Sequence, residues 1–415
     1  MNDQIPMNTA SIEPGLVDPN ILRTAFSRAL SDMYRREVPL YGTLLKLVAE
    51  TNRVASGNIA HRLEIERHGA IRVGTASELV GIRRLFSAMG MQPVGYYDLA
   101  AAGVPVHSTA FRPIGADALA INPFRVFTSL LRLELVSDTE LREEAAIILD
   151  RRRIFTPRLL ELLALIDREG GLPVVHTQEL VVEALQIFRW HETASVDAAL
   201  YRRLKASHPL VADVVCFRGP HINHLTPRTL DIDAAQAAMH RRGMNPKSVI
   251  EGPPRRAVPI LLRQTSFQAL TEPVRFADQD DGDHGTHTAR FGEVEQRGAA
   301  LTPTGRALYD RLLAQLQSEV ADGADRVEVS ARIFSEFPDD LETMRAAGLA
   351  FFRSGTADPI LYEDFLPVSA AGIFRSNLGS GAAETLAASS REALETALQS
   401  PTLDEMTLYA AAAAG

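Results

Sequence analysis

The chain has 415 residues, enough for two or three domains and a sizeable buried core. Hydrophobic residues make up 46% and charged residues 23%, a balance that excludes wholesale disorder. Lys+Arg 43 against Asp+Glu 52 gives a formal net charge of −9, which leaves no electrostatic case for wrapping nucleic acid or docking on an anionic membrane.

The start, MNDQIPMNTASIEPGL, has neither the basic beginning nor the apolar stretch of a signal peptide and is expected to be a loose arm. From Pro19 to about Glu50, Ile21, Leu22, Phe26, Leu30 and Met33 recur at helical spacing. HGAIRV (68–73) reads as a short strand. TASELVGIRRLFSAMG then reads as a helix with Thr75 as cap, Glu78 three residues on, and Gly90 at its end. With the strand-like MQPVGYYDL this makes a βαβ-like module. FRVFTSLLRLEL, TELREEAAIILDRR and TPRLLELLALIDREGG are predicted as helices inserted on that module, and HTQELVVEALQIFRW continues the helical reading to Trp190.

A second module opens near residue 209. PLVADVVCF is predicted as an apolar strand holding Cys216, the single cysteine, as a buried thiol. One cysteine excludes an internal disulfide framework and a Cys-cluster zinc or iron–sulfur site, and points to a reducing compartment. HINHLTPRTLDI and DAAQAAMHRRGMNPKSVI follow, a strand-like segment running into a helix that ends at Gly243. HGAIRVGTASELVGIRRLFSAMGMQP and NHLTPRTLDIDAAQAAMHRRGMNP share a layout: histidine, short strand, helix, then Gly-Met-(Gln/Asn)-Pro. This is an internal pseudo-repeat. VPILLRQTSFQALTEPVRF is predicted as two strands, ADQDDGDHGTHTA as a loop, RFGEVEQRG as a strand, and residues 311–350 as helical. A terminal helix and a frayed alanine-rich tail end the chain. No apolar stretch reaches the roughly 18 residues of a membrane span, so a soluble cytoplasmic protein is expected.

The fold expected is α+β. Paired βαββ-type modules form a curved mixed sheet around a metal site, with a large helical insertion and a C-terminal helical region. The boundaries are 1–60 for an N-terminal helical arm, 61–310 for the core (modules at 61–120 and 206–310, insertion at 121–205), and 311–415 for the C-terminal region.

Two modules that each place a histidine at the head of a strand suggest one divalent metal between them. Two His and one carboxylate leave an open face on an octahedral iron. The candidates are His68, His224 and Glu293. On a strand, His221 and His224 would point to opposite faces, and the repeat selects His224. Glu293 and Glu295 share a face, so spacing does not choose between them. His284 and His287 form an H-x-x-H that could hold a metal, but in a loop beside an acidic run they are expected to face solvent or sit on a lid. Arg72 shares the strand face of His68, with its Cα roughly 13 Å away at about 3.3 Å per residue. A guanidinium there suits one end of a short dicarboxylate whose other end meets the metal.

HGAIRVGT, HINHLTPRTLDID, ARFGEVEQRGAALTPTGR and YEDFLPVSAAGIF, four motifs in this order, resemble the 2-oxoadipate dioxygenase/decarboxylase (hydroxyglutarate synthase) family from about residue 30 to residue 380. That family is similar to the vicinal-oxygen-chelate superfold. The resemblance implies an Fe(2+) enzyme of lysine catabolism that converts 2-oxoadipate, a 2-oxo dicarboxylic acid, and O2 to 2-hydroxyglutarate and CO2. It implies metal ligands at His68, His224 and Glu293 and substrate contacts at Arg72, Val368 and Ser369. Two other readings compete: a metal-dependent isomerase or lyase on the same superfold, and a non-catalytic 2-oxo acid binding protein.

Overall fold

The computed structural model describes residues 15–56, 61–100, 103–267, 269–278, 285–321, 325–366 and 390–415. Nine strands are described: β1 (Arg67–Val73), β2 (Met91–Asp98), β3 (Val106–Pro113), β4 (Arg125–Leu131), β5 (Leu225–Pro227), β6 (Leu262–Ser266), β7 (Thr271–Val274), β8 (Gly285–Thr288) and β9 (Glu293–Arg297). The main sheet runs β2-β3-β4-β1-β5, with β1 parallel to β4 and every other neighbour antiparallel. A parallel bridge from Arg228, one residue past β5, to Glu295 carries the surface on to the β6-β9 pair. The result is a mixed sheet that turns through β5 and β9, with helices packed outside it.

Local signals account for the first module. Thr75 Oγ accepts the Glu78 backbone N–H, and the Glu78 carboxylate reaches back to the Gly74 N–H at 2.8 Å. The first satisfies a donor that helix Ala76–Ala88 cannot satisfy itself, and the second ties the residue before the cap to the first turn. Gly90 leaves that helix at φ 68°, a region only glycine enters without strain. The second half of the repeat ends alike: helix Ile232–Arg241, capped by Asp231, closes before Gly243 at φ 67°. The two halves meet where β1 pairs with β5, His68 opposite Thr226. Gly69 permits that meeting, since a Cβ there would stand 2.5 Å from Ile222 Cδ1.

Four expectations are corrected. FRVFTSLL is not helix but β4, buried on both faces. A central strand reads as a near-continuous apolar run, which resembles a buried helix. PLVADVVCF is helix Pro209–Val215, started by Pro209 at its first turn and by His208, whose side chain accepts the Leu210 N–H. Cys216, at its C-terminal cap, is buried as expected. The acidic loop is interrupted by β8, which pairs with β7. The alanine-rich tail is helix Glu405–Ala414, capped by Asp404 and anchored by buried Tyr409.

Helices Thr139–Arg151, Pro157–Glu169 and Thr177–Phe188 stand where they were expected. Arg152 ties the first of them to the module by gripping Glu78 at 2.6 and 2.7 Å. Among the described residues, no helix is long and apolar enough to cross a membrane.

Candidate metal centre

His68 from β1, His224 from the approach to β5, and Glu293 from β9 converge where the three elements meet. One ligand atom from each lies within 4.8 Å of the others. His68 Nε2 is 3.1 Å from Glu293 Oε2, and His224 Nδ1 is 3.4 Å from the same oxygen. A gap of 3.1 Å is that of two neighbouring ligands with bonds of about 2.1 Å at roughly right angles. Two imidazoles and one carboxylate are a donor set that first-row divalent ions accept. The residues therefore fit a metal.

Supporting groups fix each side chain. Thr226 Oγ1 donates to Glu293 Oε2 at 2.8 Å and lies 2.9 Å from His224 Nδ1. Gln264 Nε2 donates to Glu293 Oε2 at 3.0 Å. His224 is stacked on Phe291, ring centroids 4.9 Å apart, and His68 meets the edge of Phe365 at 5.0 Å. Burial pushes His224 down to about 4, so its imidazole is neutral near pH 7, as a ligand must be. Burial would raise the Glu293 carboxyl, but His224 and His68 outweigh it and hold it down to about 2.

Glu295 stands apart from Glu293 although both lie on one strand face. It is fully buried, Arg297 grips it at 2.8 and 2.9 Å, and its Oε2 lies 2.8 Å from His68 Nδ1. Glu295 thus meets the rear nitrogen of the ring whose front nitrogen meets Glu293. Behind it lies a buried charge network. Glu66 accepts from Arg125 and Arg228, both at 3.0 Å, and Glu363 accepts from Arg125 and from Arg62 at 2.6 Å. Burial opposes ionisation of Glu66, but these guanidiniums hold its carboxyl well below the usual range. The network pins the segment carrying Phe365 against the site.

Arg72 lies further along β1. Its side chain is 27% exposed, and Nη1 donates to Asp213 Oδ2 at 2.7 Å. Sequence reasoning missed Asp213, although a lone carboxylate inside the apolar run PLVADVVCF was a signal, because such groups are rarely buried without partners. His221 does not join the centre: it is buried with Asp213 and His287. Residues 221–224 form no strand, yet the two histidines part as expected. His287, expected at the surface, is 4% exposed, because pairing of β8 with β7 turns it inward. Val368, Ser369 and His284 lie outside the described residues.

The fold is shared with a putative glyoxalase superfamily protein from Ralstonia eutropha, which superposes with TM-score 0.53 at 20% identity, over 71% of this chain and 88% of its own. Closer matches give the family. The profile of 2-oxoadipate dioxygenase/decarboxylase matches residues 26–377. The Pseudomonas putida protein of that name is 54% identical over 95% of both chains. The crystal structure of the hydroxyglutarate synthase in complex with 2-oxoadipate from Pseudomonas putida superposes with TM-score 0.88 at 52% identity, over 96% of both chains. The chain belongs to the 2-oxoadipate dioxygenase/decarboxylase family.

Proposed function

We propose that this chain is an Fe(II)-dependent dioxygenase that decarboxylates 2-oxoadipate with O2, giving 2-hydroxyglutarate and CO2. The observation that carries the reading is the convergence of His68, His224 and Glu293 with Arg72 on the same strand as His68. When bound, the iron would supply Lewis-acid and redox chemistry at coordination positions left open by two imidazoles and one carboxylate.

The chain's own groups do the rest. His68, His224 and Glu293 would hold the ion. Glu295 orients the His68 imidazole from behind, Thr226 sits beside the His224 nitrogen that faces Glu293, and Gln264 holds the carboxylate. Arg72 takes the distal carboxylate of the substrate, which sets which carbon of the chain reaches the reacting centre. Phe291, Phe365 and Phe127, whose ring lies 5.4 Å from that of Phe365, make an apolar wall that keeps water from it. No side chain need act as a general acid or base. From the family resemblance the reading extends to a role in lysine catabolism in the cytoplasm.

The test is incubation of the iron-loaded protein with 2-oxoadipate and 18O2. Expected are uptake of one O2 per CO2 released and 2-hydroxyglutarate enriched in 18O. An isomerase or lyase would consume no O2, and a binding protein would return the oxo acid unchanged; either result ends the proposal.

A further inference from the structure

A second buried cluster lies beside the centre. Asp213, from helix Pro209–Val215, offers Oδ1 to His287 Nε2 at 2.9 Å and to within 3.1 Å of His221 Nε2, while its Oδ2 accepts from Arg72 Nη1 at 2.7 Å. His287 Nδ1 lies 2.9 Å from the Tyr201 hydroxyl. The Trp190 ring, 4.8 Å from His221 and 6.0 Å from His287, covers the cluster.

Two imidazoles and a carboxylate are also a metal donor set, but the Arg72 contact argues against a second ion. A lone buried carboxylate would then face a divalent cation on one oxygen and a guanidinium on the other, with no second carboxylate in the cluster among the described residues. Water would do little to relieve that excess charge.

What the arrangement does is hold Arg72. A free arginine loses much side-chain entropy when it closes on a ligand, and one already tethered loses less. The tether stays ionised: burial would raise the Asp213 carboxyl, yet His221 and Arg72 outweigh it and hold it well below the usual range. The other guanidinium donors of Arg72 have no partner among the described residues, and its charge is felt at His224. We infer that Asp213, itself held by His287, is a positioning residue that aims the open edge of Arg72 at the distal carboxylate and so sets selectivity for dicarboxylic over monocarboxylic 2-oxo acids. The inference rests on the reading of Arg72 given above.

The experiment compares kcat and KM for 2-oxoadipate and for 2-oxohexanoate, which has the same carbon count without the distal carboxylate. The metal-loaded wild type, Arg72→Ala, Asp213→Asn, Asp213→Glu and His287→Gln are compared, with metal content measured for each. Expected for Asp213→Asn is a rise of about 10- to 100-fold in KM for 2-oxoadipate, the size of one charge-assisted contact, with 2-oxohexanoate kinetics and metal content within about twofold of wild type. Asp213→Glu should recover part of the selectivity. Should Asp213→Asn fail to fold, His287→Gln carries the test, with a smaller shift in the same direction. Unchanged selectivity, equal losses on both acids, or lost metal would overturn the inference. If instead wild type shows no preference, or Arg72→Ala keeps it, the reading of Arg72 falls and takes this inference with it.

Discussion

Glu295 Oε2 lies 2.8 Å from His68 Nδ1, while Glu293 Oε2 lies 3.1 Å from Nε2 of the same ring. One imidazole is held between two carboxylates two residues apart on one strand. The rear carboxylate sets the ring's orientation and raises its basicity, the usual arrangement behind a metal-bound histidine.

Replacing Glu295 by Gln is therefore expected to weaken metal binding about 10- to 100-fold while leaving the three proposed ligands in place. Metal titration of the apoprotein measures this, and affinity equal to wild type would count against the orienting role. Glu295→Ala should do more. It leaves the buried Arg297 guanidinium with backbone carbonyls of Tyr362 and Asp364 but without its carboxylate, and is expected to cost about 3–5 kcal/mol of stability in denaturant unfolding.

Arg72→Ala should lower affinity for 2-oxoadipate far more than for a monocarboxylic 2-oxo acid. The difference expected is on the order of 1.5–3 kcal/mol, the worth of a charge-assisted hydrogen bond. Calorimetric titration of the metal-loaded protein with each acid reads it directly, and equal losses for both acids would remove Arg72 from the site.

Tyr409 ties the terminal helix to the segment behind the centre. Its hydroxyl accepts the Glu363 N–H at 2.8 Å and donates to Asp364. Tyr409→Phe leaves both groups without that partner in the interior and should cost about 1–3 kcal/mol. A shift in the unfolding midpoint tests it, and no shift would mean that the tail docks through apolar packing alone.

His191 gives a pH signature away from the centre. Burial, with the charges of His221, Arg218 and Arg189, pushes it down to about 4 from 6.5. The unfolded chain then binds a proton that the folded chain refuses, so this residue lowers stability as pH falls from 6.5 towards 4 and has no such effect above 6.5. His191→Gln should flatten part of that decline. Unfolding midpoints of both proteins across this range decide it, and parallel curves would sink the prediction.

Much of the local structure was legible in the sequence because its causes are local. Thr75, Glu78 and Gly90 bound one helix through caps, and Gly243 marks the end of its repeat. The residues that misled were those whose environment is distant. Nothing near Arg125–Leu131 tells a strand covered on both faces from a buried helix, while at Pro209–Val215 the apolar run outweighed the one local sign of a helix, Pro209 in its first turn. His287 looked solvated because its neighbours in sequence are acidic, whereas its neighbours in space are Asp213, Tyr201 and Phe217.

By itself the sequence determined the paired halves, the helix ends, and His68, His224 and Glu293 as the trio to examine, because repeats, caps and motifs are written in short windows. Only the tertiary structure decided that Glu295 stands behind His68 while Glu293 stands before it. Strand periodicity puts both carboxylates on one face, and the Arg297 grip and the position of the ring separate them. It alone joined Arg72 to Asp213 across 141 residues, since an ion pair between distant segments leaves no periodic trace in either.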